Sequence, residues 1–200
     1  MRHEAERHGM LKTRELIVET ADRMFYEGGF EATSFADIAA SLGISRGNFY
    51  HHFKTKDDIL DAVITRRIVR TRAMLDAWHD NGGGPRERIA SFVRLLVANR
   101  TKIMAFGCPV GTLCAELAKL EHAAKHRAAD VMGLFRDWLT DQFRALGARE
   151  ASGEHAVHLL GWAQGLATLA VAFQDEAMIH QQVAATEAWL AALPYGSTSD

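Results

Sequence analysis

Apolar side chains recur three and four residues apart along almost the whole chain, and glycines and prolines divide that pattern into helices. The first predicted helix runs from Lys12 to Glu27, with Ile17, Ala21, Met24 and Phe25 on one face, and stops at Gly28-Gly29. Two short helices follow between Ser34 and Phe53, and a long one spans Lys56 to His79 and ends at the glycine run before Pro85. Further helices are expected over Pro85–Met104, Thr112–Leu120, His122–Leu146, Ser152–Phe173 and Glu176–Leu193, about nine in all. No alternating run of Val, Ile and Thr argues for a sheet, so the fold class is all-α. Met1–Met10 reads as a flexible polar arm and Pro194–Asp200 as a disordered tail.

The two short helices carry the most specific signal. Ile38, Leu42, Ile44 and Phe49 are spaced so that two helices cross steeply over a small core, and Ala39 sits at their closest approach. Gly43 falls where the chain must leave the first of them, and glycine tolerates the left-handed backbone of such an ending. Ser34 with Asp37, and Thr55 with Asp58, have the spacing of capping boxes, while Ser45 caps the helix between them. Ser45 and Arg46 then lie in the first turn of that helix, the part of a recognition helix that reaches base edges, where an Arg pairs bidentately with guanine. Gly47 costs about 1 kcal/mol relative to Ala in a helix interior, which is accepted where the backbone must approach a phosphate or base closely. Tyr50, His51, Lys54 and Lys56 offer donors suited to phosphate oxygens. Between Ser45 and Lys56 there are 3 cationic side chains and no acid, whereas the whole chain has net charge −2, so positive charge is concentrated there.

The pattern Ala-Asp-Ile-Ala-x-x-Leu-Gly-Ile-Ser-x-Gly-x-Phe-Tyr-x-His-Phe-x-x-Lys, from Ala36 to Lys56, resembles the TetR family of one-component bacterial transcriptional repressors. The resemblance extends from about Thr13 to Leu60. It implies base contacts from Ser45, Arg46 and Gly47, backbone contacts from Tyr50, His51 and Lys56, and a phosphate held by Ser34; His52 and Phe53 are better read as core. It further implies a helix-turn-helix domain over residues 1–56, followed over 57–200 by a helical domain that binds an effector and dimerises. The expected partners are a double-stranded DNA operator of palindromic sequence, a small-molecule effector and a second copy of the chain, with no membrane.

The C-terminal part adds detail. From Ala156 to Phe173 no Asp, Glu, Lys or Arg occurs, and small residues at Gly161, Ala163, Gly165, Ala167 and Ala170 favour burial on several sides; the resemblance assigns the last two long helices to the dimer interface. Phe106, Leu113, Leu117, Phe135, Trp138 and Trp162 are candidate apolar walls of an effector pocket, and Gln164 and Thr168, four apart, are candidates to orient a polar group. Gly107-Cys108-Pro109-Val110-Gly111-Thr112-Leu113-Cys114-Ala115-Glu116-Leu117 resembles the Gly-Cys-x-x-Gly-x-Leu-x-x-Glu-Leu stretch of a TetR subgroup in which some members answer quinones, electrophiles or oxidants. Cys108 therefore has two readings, a reactive thiol at a helix start or a small core residue.

Composition narrows the remaining classes. Hydrophobic residues at 48% and charged residues at 24% suit a globular chain, and neither an apolar leader nor a membrane-length hydrophobic run is evident, so a cytoplasmic setting is expected. His122 with His126, and His155 with His158, have chelating spacing, but no third ligand is placed by sequence, so no metal and no cofactor are expected. No paired carboxylates, activated nucleophile or cofactor fingerprint supports an enzyme.

Overall fold

The computed structural model describes residues 2–81 and 83–195, with side chains from Leu11 onward. Among the described residues there are ten α-helices and no strand: α1 (Arg2–Gly28), α2 (Phe35–Leu42), α3 (Arg46–His52), α4 (Lys56–Asp80), α5 (Pro85–Ala98), α6 (Arg100–Phe106), α7 (Pro109–Lys119), α8 (Lys125–Leu146), α9 (Ser152–Phe173) and α10 (Glu176–Ala192). A single 3-10 turn, Arg149–Ala151, precedes α9.

The helix expected over Pro85–Met104 is divided at Asn99, whose side-chain Nδ2 donates to the Leu95 carbonyl at 2.9 Å. Asparagine offers the backbone a local alternative to the helical ladder, and the chain turns there. Residues 2–10, read from sequence as an arm, continue α1 instead. At the other end the expected tail begins later than Pro194, because Arg86 donates to the carbonyls of Leu190, Leu193 and Tyr195 and the Tyr195 ring meets His155. The remainder of that tail, 196–200, lies outside the described residues.

Two compact units are formed, and the division differs from a cut at residue 56. One comprises the chain up to Val69 together with Leu113–Ala128, and the other Arg70–Thr112 together with the chain from Ala129 onward. The reason is packing. In the first unit Ile17, Val18, Ala21 and Phe25 of α1, Ile38 of α2, Phe49 of α3 and Ile59, Leu60, Val63 and Ile64 of α4 enclose a core that Leu113 and Leu117 of α7 complete. Arg67 and Asp22 form a largely buried ion pair, Nε to Oδ1 at 2.7 Å, that ties α4 to α1.

In the second unit α5 packs on α10 and α6 on α9. Ile89, Phe92, Val93, Leu96, Leu139, Phe143, Leu159, Leu166, Ile179 and Val183 are buried. Exposed ion pairs run from Arg94 to Glu87 and Glu187 and from Arg100 to Glu176. By length and composition α9 with the preceding turn is apolar enough to cross a membrane, a property that the sequence reading had not credited to any segment. Ala156, Leu159, Ala163, Leu166, Ala167 and Ala170 nonetheless bury one side of it within this unit, while Val157, Leu169, Val171 and Phe173 stay exposed.

Candidate nucleic-acid interface

Each expected capping signal forms. The Ser34 hydroxyl accepts from Asp37 N–H at 3.2 Å and Asp37 Oδ2 in turn accepts from Ser34 N–H at 2.9 Å, so α2 starts in a reciprocal box. Hydrogen bonding from the Ser34 side chain, then from its backbone, holds the Asp37 carboxyl below the usual range. At its far end α2 stops at Gly43, φ 63°, where Gly43 N–H donates to the Ala40 carbonyl and Ile44 N–H to that of Ala39. That double bond pattern needs the left-handed conformation and fixes a short turn. Ser45 then caps α3 by accepting from Asn48 N–H at 3.3 Å. A second box opens α4, where Asp58 Oδ2 accepts from Thr55 N–H at 2.9 Å and from Lys54 N–H at 3.1 Å. The Thr55 backbone bond is the leading cause of the lowered Asp58 pKa.

The inner side of α3 is anchored by Phe49, buried and edge-on to Phe35 with ring centroids 5.0 Å apart. Phe53, also buried, lies under the Arg14 guanidinium at 4.8 Å. His52 is half-buried and not part of the core that Phe53 joins; partial burial, then the charges of His51 and Arg14, lowers its pKa. The outer side is open. Ser45, Arg46, Gly47, Tyr50, His51 and Lys54 are all exposed, and Arg46 has no hydrogen-bond or ion-pair partner among the described residues. Tyr50 stacks on Phe35 at 5.6 Å, which fixes its ring while leaving it 48% exposed. A Cβ built at Gly47 would meet no atom within 4 Å, so nothing inside the protein requires glycine there. Lys54 is partly committed, since its ammonium donates to the Tyr50 carbonyl at 2.6 Å and so satisfies the end of α3.

Two expected contacts are placed differently. Lys56, expected to reach the DNA backbone, is half-buried, donates to the carbonyls of Phe30 at 3.0 Å and Glu31 at 3.2 Å, and lies over the Phe30 ring at 4.3 Å. Its charge holds a loop. Ser34, expected to grip a phosphate, is exposed, but its hydroxyl also donates to Asp37 at 2.6 Å and is occupied with the cap. Sequence reasoning missed Asn48, exposed in the first turn of α3, and the stacking role of Phe35. Phe35 stacks on Tyr50, fifteen residues further on, a separation that gave no local signal for the latter.

The expected effector residues are not one cluster. Leu113 and Leu117 are core residues of the first unit, packed with the helix-turn-helix helices. In the second unit Phe135 packs on Phe92 at 5.7 Å and Trp138 on Trp78 at 5.5 Å. Gln164 is turned to Cys108, its Nε2 donating to Sγ at 3.4 Å, and Gly111 N–H also donates to that sulfur at 3.4 Å. A Cβ at Gly111 would fall 2.2 Å from Gln164 Oε1, so glycine is what allows this approach. The Thr168 hydroxyl donates to the Gln164 carbonyl at 3.0 Å rather than pointing to a shared ligand position with the Gln164 amide. Phe106 is exposed and Trp162 half-buried. Three of the four paired histidines have partners: His155 meets Phe143, Trp189 and Tyr195, His158 meets Trp189, and His122 accepts from Ala124 N–H at 3.0 Å.

The family described as bacterial regulatory proteins, tetR family, matches residues 17–63, the segment that builds this interface. That segment is a TetR-family domain. It is 28% identical over 158 residues to the HTH-type transcriptional repressor BepR of Brucella suis, covering 74% of this chain and 75% of that one. An HTH-type transcriptional regulator in the lacX 3' region of Lactococcus lactis is 25% identical over 118 residues, and the alignment spans 58% of this chain and only 60% of that protein's length. Among solved structures, a TetR transcriptional regulator from Legionella pneumophila superposes with a TM-score of 0.78 at 23% identity, covering 90% of this chain and 95% of the other. That likeness extends the TetR fold to both units.

Proposed function

We propose that the protein is a transcriptional repressor that binds a palindromic operator as a homodimer and leaves it when a small molecule binds the second unit. The observation that carries this reading is the outer side of α3, where Arg46 is exposed and unpaired among the described residues beside a glycine that the fold does not require. Arg46 reads a base edge, Gly47 admits the groove wall, and Tyr50, His51 and Lys54 hold phosphates. The exposed apolar side chains of α9, Val157, Leu169, Val171 and Phe173, support pairing with a second copy through α9 and α10. Such a two-fold pair presents two recognition helices to two half-sites. An effector would be met in the second unit by Phe135, Trp138, Trp162 and Gln164, in a protein of the cytoplasm with no catalytic role. Selection of bound duplexes from a random pool tests the reading: a recovered palindrome bound by a dimer is expected, and recovery of no preferred sequence would refute it.

A second reading of the release step is favoured by the surroundings of Cys108. Its sulfur lies just before α7 and accepts from Gly111 N–H and the Gln164 amide. In this variant an electrophile capturing Cys108 releases the operator. Cys108→Ser would bind the operator normally and fail to release on electrophile treatment; unchanged release would return the effector role to a non-covalent ligand.

A further inference from the structure

The Leu-x-x-Glu-Leu half of the α7 motif has a place that neither the family match nor the effector reading accounts for. Leu113 and Leu117 enter the core around the helix-turn-helix, and Glu116 between them faces the loop joining α1 to α2. Its two carboxylate oxygens accept from consecutive backbone groups, Phe30 N–H to Oε2 at 2.9 Å and Glu31 N–H to Oε1 at 2.9 Å. The carbonyls of the same two residues accept from the Lys56 ammonium. The peptide group joining Phe30 to Glu31 is thus gripped from two sides by opposite charges, its N–H by Glu116 of α7 and its carbonyl by Lys56 at the start of α4, and the peptide groups before and after it are each held from one side. Bonds to an ionised partner are about twice as strong as neutral ones, and this loop has four of them.

The neighbouring backbone is shaped to fit. Gly29 has φ +91°, and a Cβ there would stand 3.1 Å from Glu116 Oε1, so the carboxylate approaches as closely as it does because this residue is glycine. Thr33 Oγ1 donates to the Gly29 carbonyl at 2.7 Å and closes the loop. The next residue is Ser34, the cap of α2, and the fixed turn at Gly43 makes α3 follow wherever α2 is set.

We propose that Glu116 is a positioning residue for operator binding: with Lys56 it fixes the loop that launches α2, and so determines where the first turn of α3 meets the duplex. This rests on the DNA-binding reading given above and deepens it, because it places part of the operator-binding machinery some 50 residues beyond the segment that the family match covers.

The test uses the full chain as wild type, Glu116→Ala and Glu116→Gln, with the palindrome recovered by the wild type and an unrelated duplex of equal length. Glutamine keeps the size of the side chain but accepts from only one of the two N–H groups. Three quantities are read: amide hydrogen exchange at residues 30 and 31, the melting temperature, and affinity for each duplex well below melting. Faster exchange at both amides and at least about a fivefold weaker palindrome affinity are expected in Glu116→Ala, with Glu116→Gln between it and wild type. Affinity for the unrelated duplex, which rests on phosphate charge, should change by less than about twofold. A lower melting temperature with undiminished palindrome affinity would make Glu116 a merely structural contact and overturn the proposal. Unchanged exchange at residues 30 and 31 would overturn it too, as would a Glu116→Gln chain too unstable to fold. Should the wild type itself recover no palindrome, the DNA-binding reading falls and takes this one with it, an outcome visible before either variant is made.

Discussion

Replacing Gly47 by alanine separates what the fold needs from what a ligand needs. Gly47 lies in the first turn of α3, outside the left-handed region, and apart from its chain neighbours and the adjoining helix backbone no atom lies within 4 Å of the position a Cβ would take. Alanine is favoured over glycine in helices by about 0.5–1 kcal/mol, so Gly47→Ala should stabilise the free protein by up to that amount. For a chain of this size about 1 kcal/mol corresponds to about 2–4 °C in melting temperature, which circular dichroism resolves. Operator binding should move the other way. A methyl group where α3 enters the groove displaces the base contacts of the same turn, at a cost of about 1–3 kcal/mol, or about 5- to 150-fold in affinity. Fluorescence anisotropy on the recovered palindrome reads that loss. A lower melting temperature would show that the glycine serves the fold after all, and an unchanged operator affinity would show that the groove does not approach this turn; either result refutes the reasoning.

Other perturbations probe separate parts. Arg46→Ala should weaken palindrome binding by about 1–3 kcal/mol while leaving affinity for an unrelated duplex nearly unchanged, and equal losses on both would argue against base readout. Asp37 and Asp58 have lowered pKa values in the folded state, so their contribution to stability is present above the ordinary aspartate value of 3.8 and is lost as pH falls through their folded values. An Asp37→Asn/Asp58→Asn chain should therefore melt lower than wild type at pH 6 and converge with it as pH falls through the lowered folded-state values of the two carboxyls; curves that stay parallel into acid would refute the cap assignment. Leu117 is fully buried in the first unit, and Leu117→Ala should cost about 2–5 kcal/mol there, measured as faster amide exchange in α1–α4. Loss of protection confined to α9 and α10 would instead place Leu117 in the other unit.

Much of the recognition element was legible because its determinants are local. Ser34 and Asp37, Gly43, Ser45, and Thr55 and Asp58 act within a few residues of themselves, and each forms the cap or turn that its spacing predicts. Helix periodicity likewise located the later helices to within a few residues, apart from the break at Asn99, where one polar side chain outweighed the apolar pattern on either side. What escaped depends on partners far apart in sequence. Lys56 carries the right charge for a phosphate, and only the folded chain places the Phe30 and Glu31 carbonyls within its reach. Leu113 and Leu117 have the spacing of a pocket wall and of a core seam alike, so periodicity could not say which unit they serve. Glu116 stood in a recognisable motif, but nothing local told what it holds, since the N–H groups that donate to it lie more than eighty residues upstream.

Because Leu113, Leu117 and Ala128 close the core around the helix-turn-helix, the order in which the ribosome delivers the chain matters. The first four helices leave the exit tunnel with an apolar face still uncovered, and they stay that way until more than forty further residues have been added. At about 5–20 residues per second this leaves a nascent intermediate exposed for some seconds, a window in which chaperone binding competes with completion of the reading head.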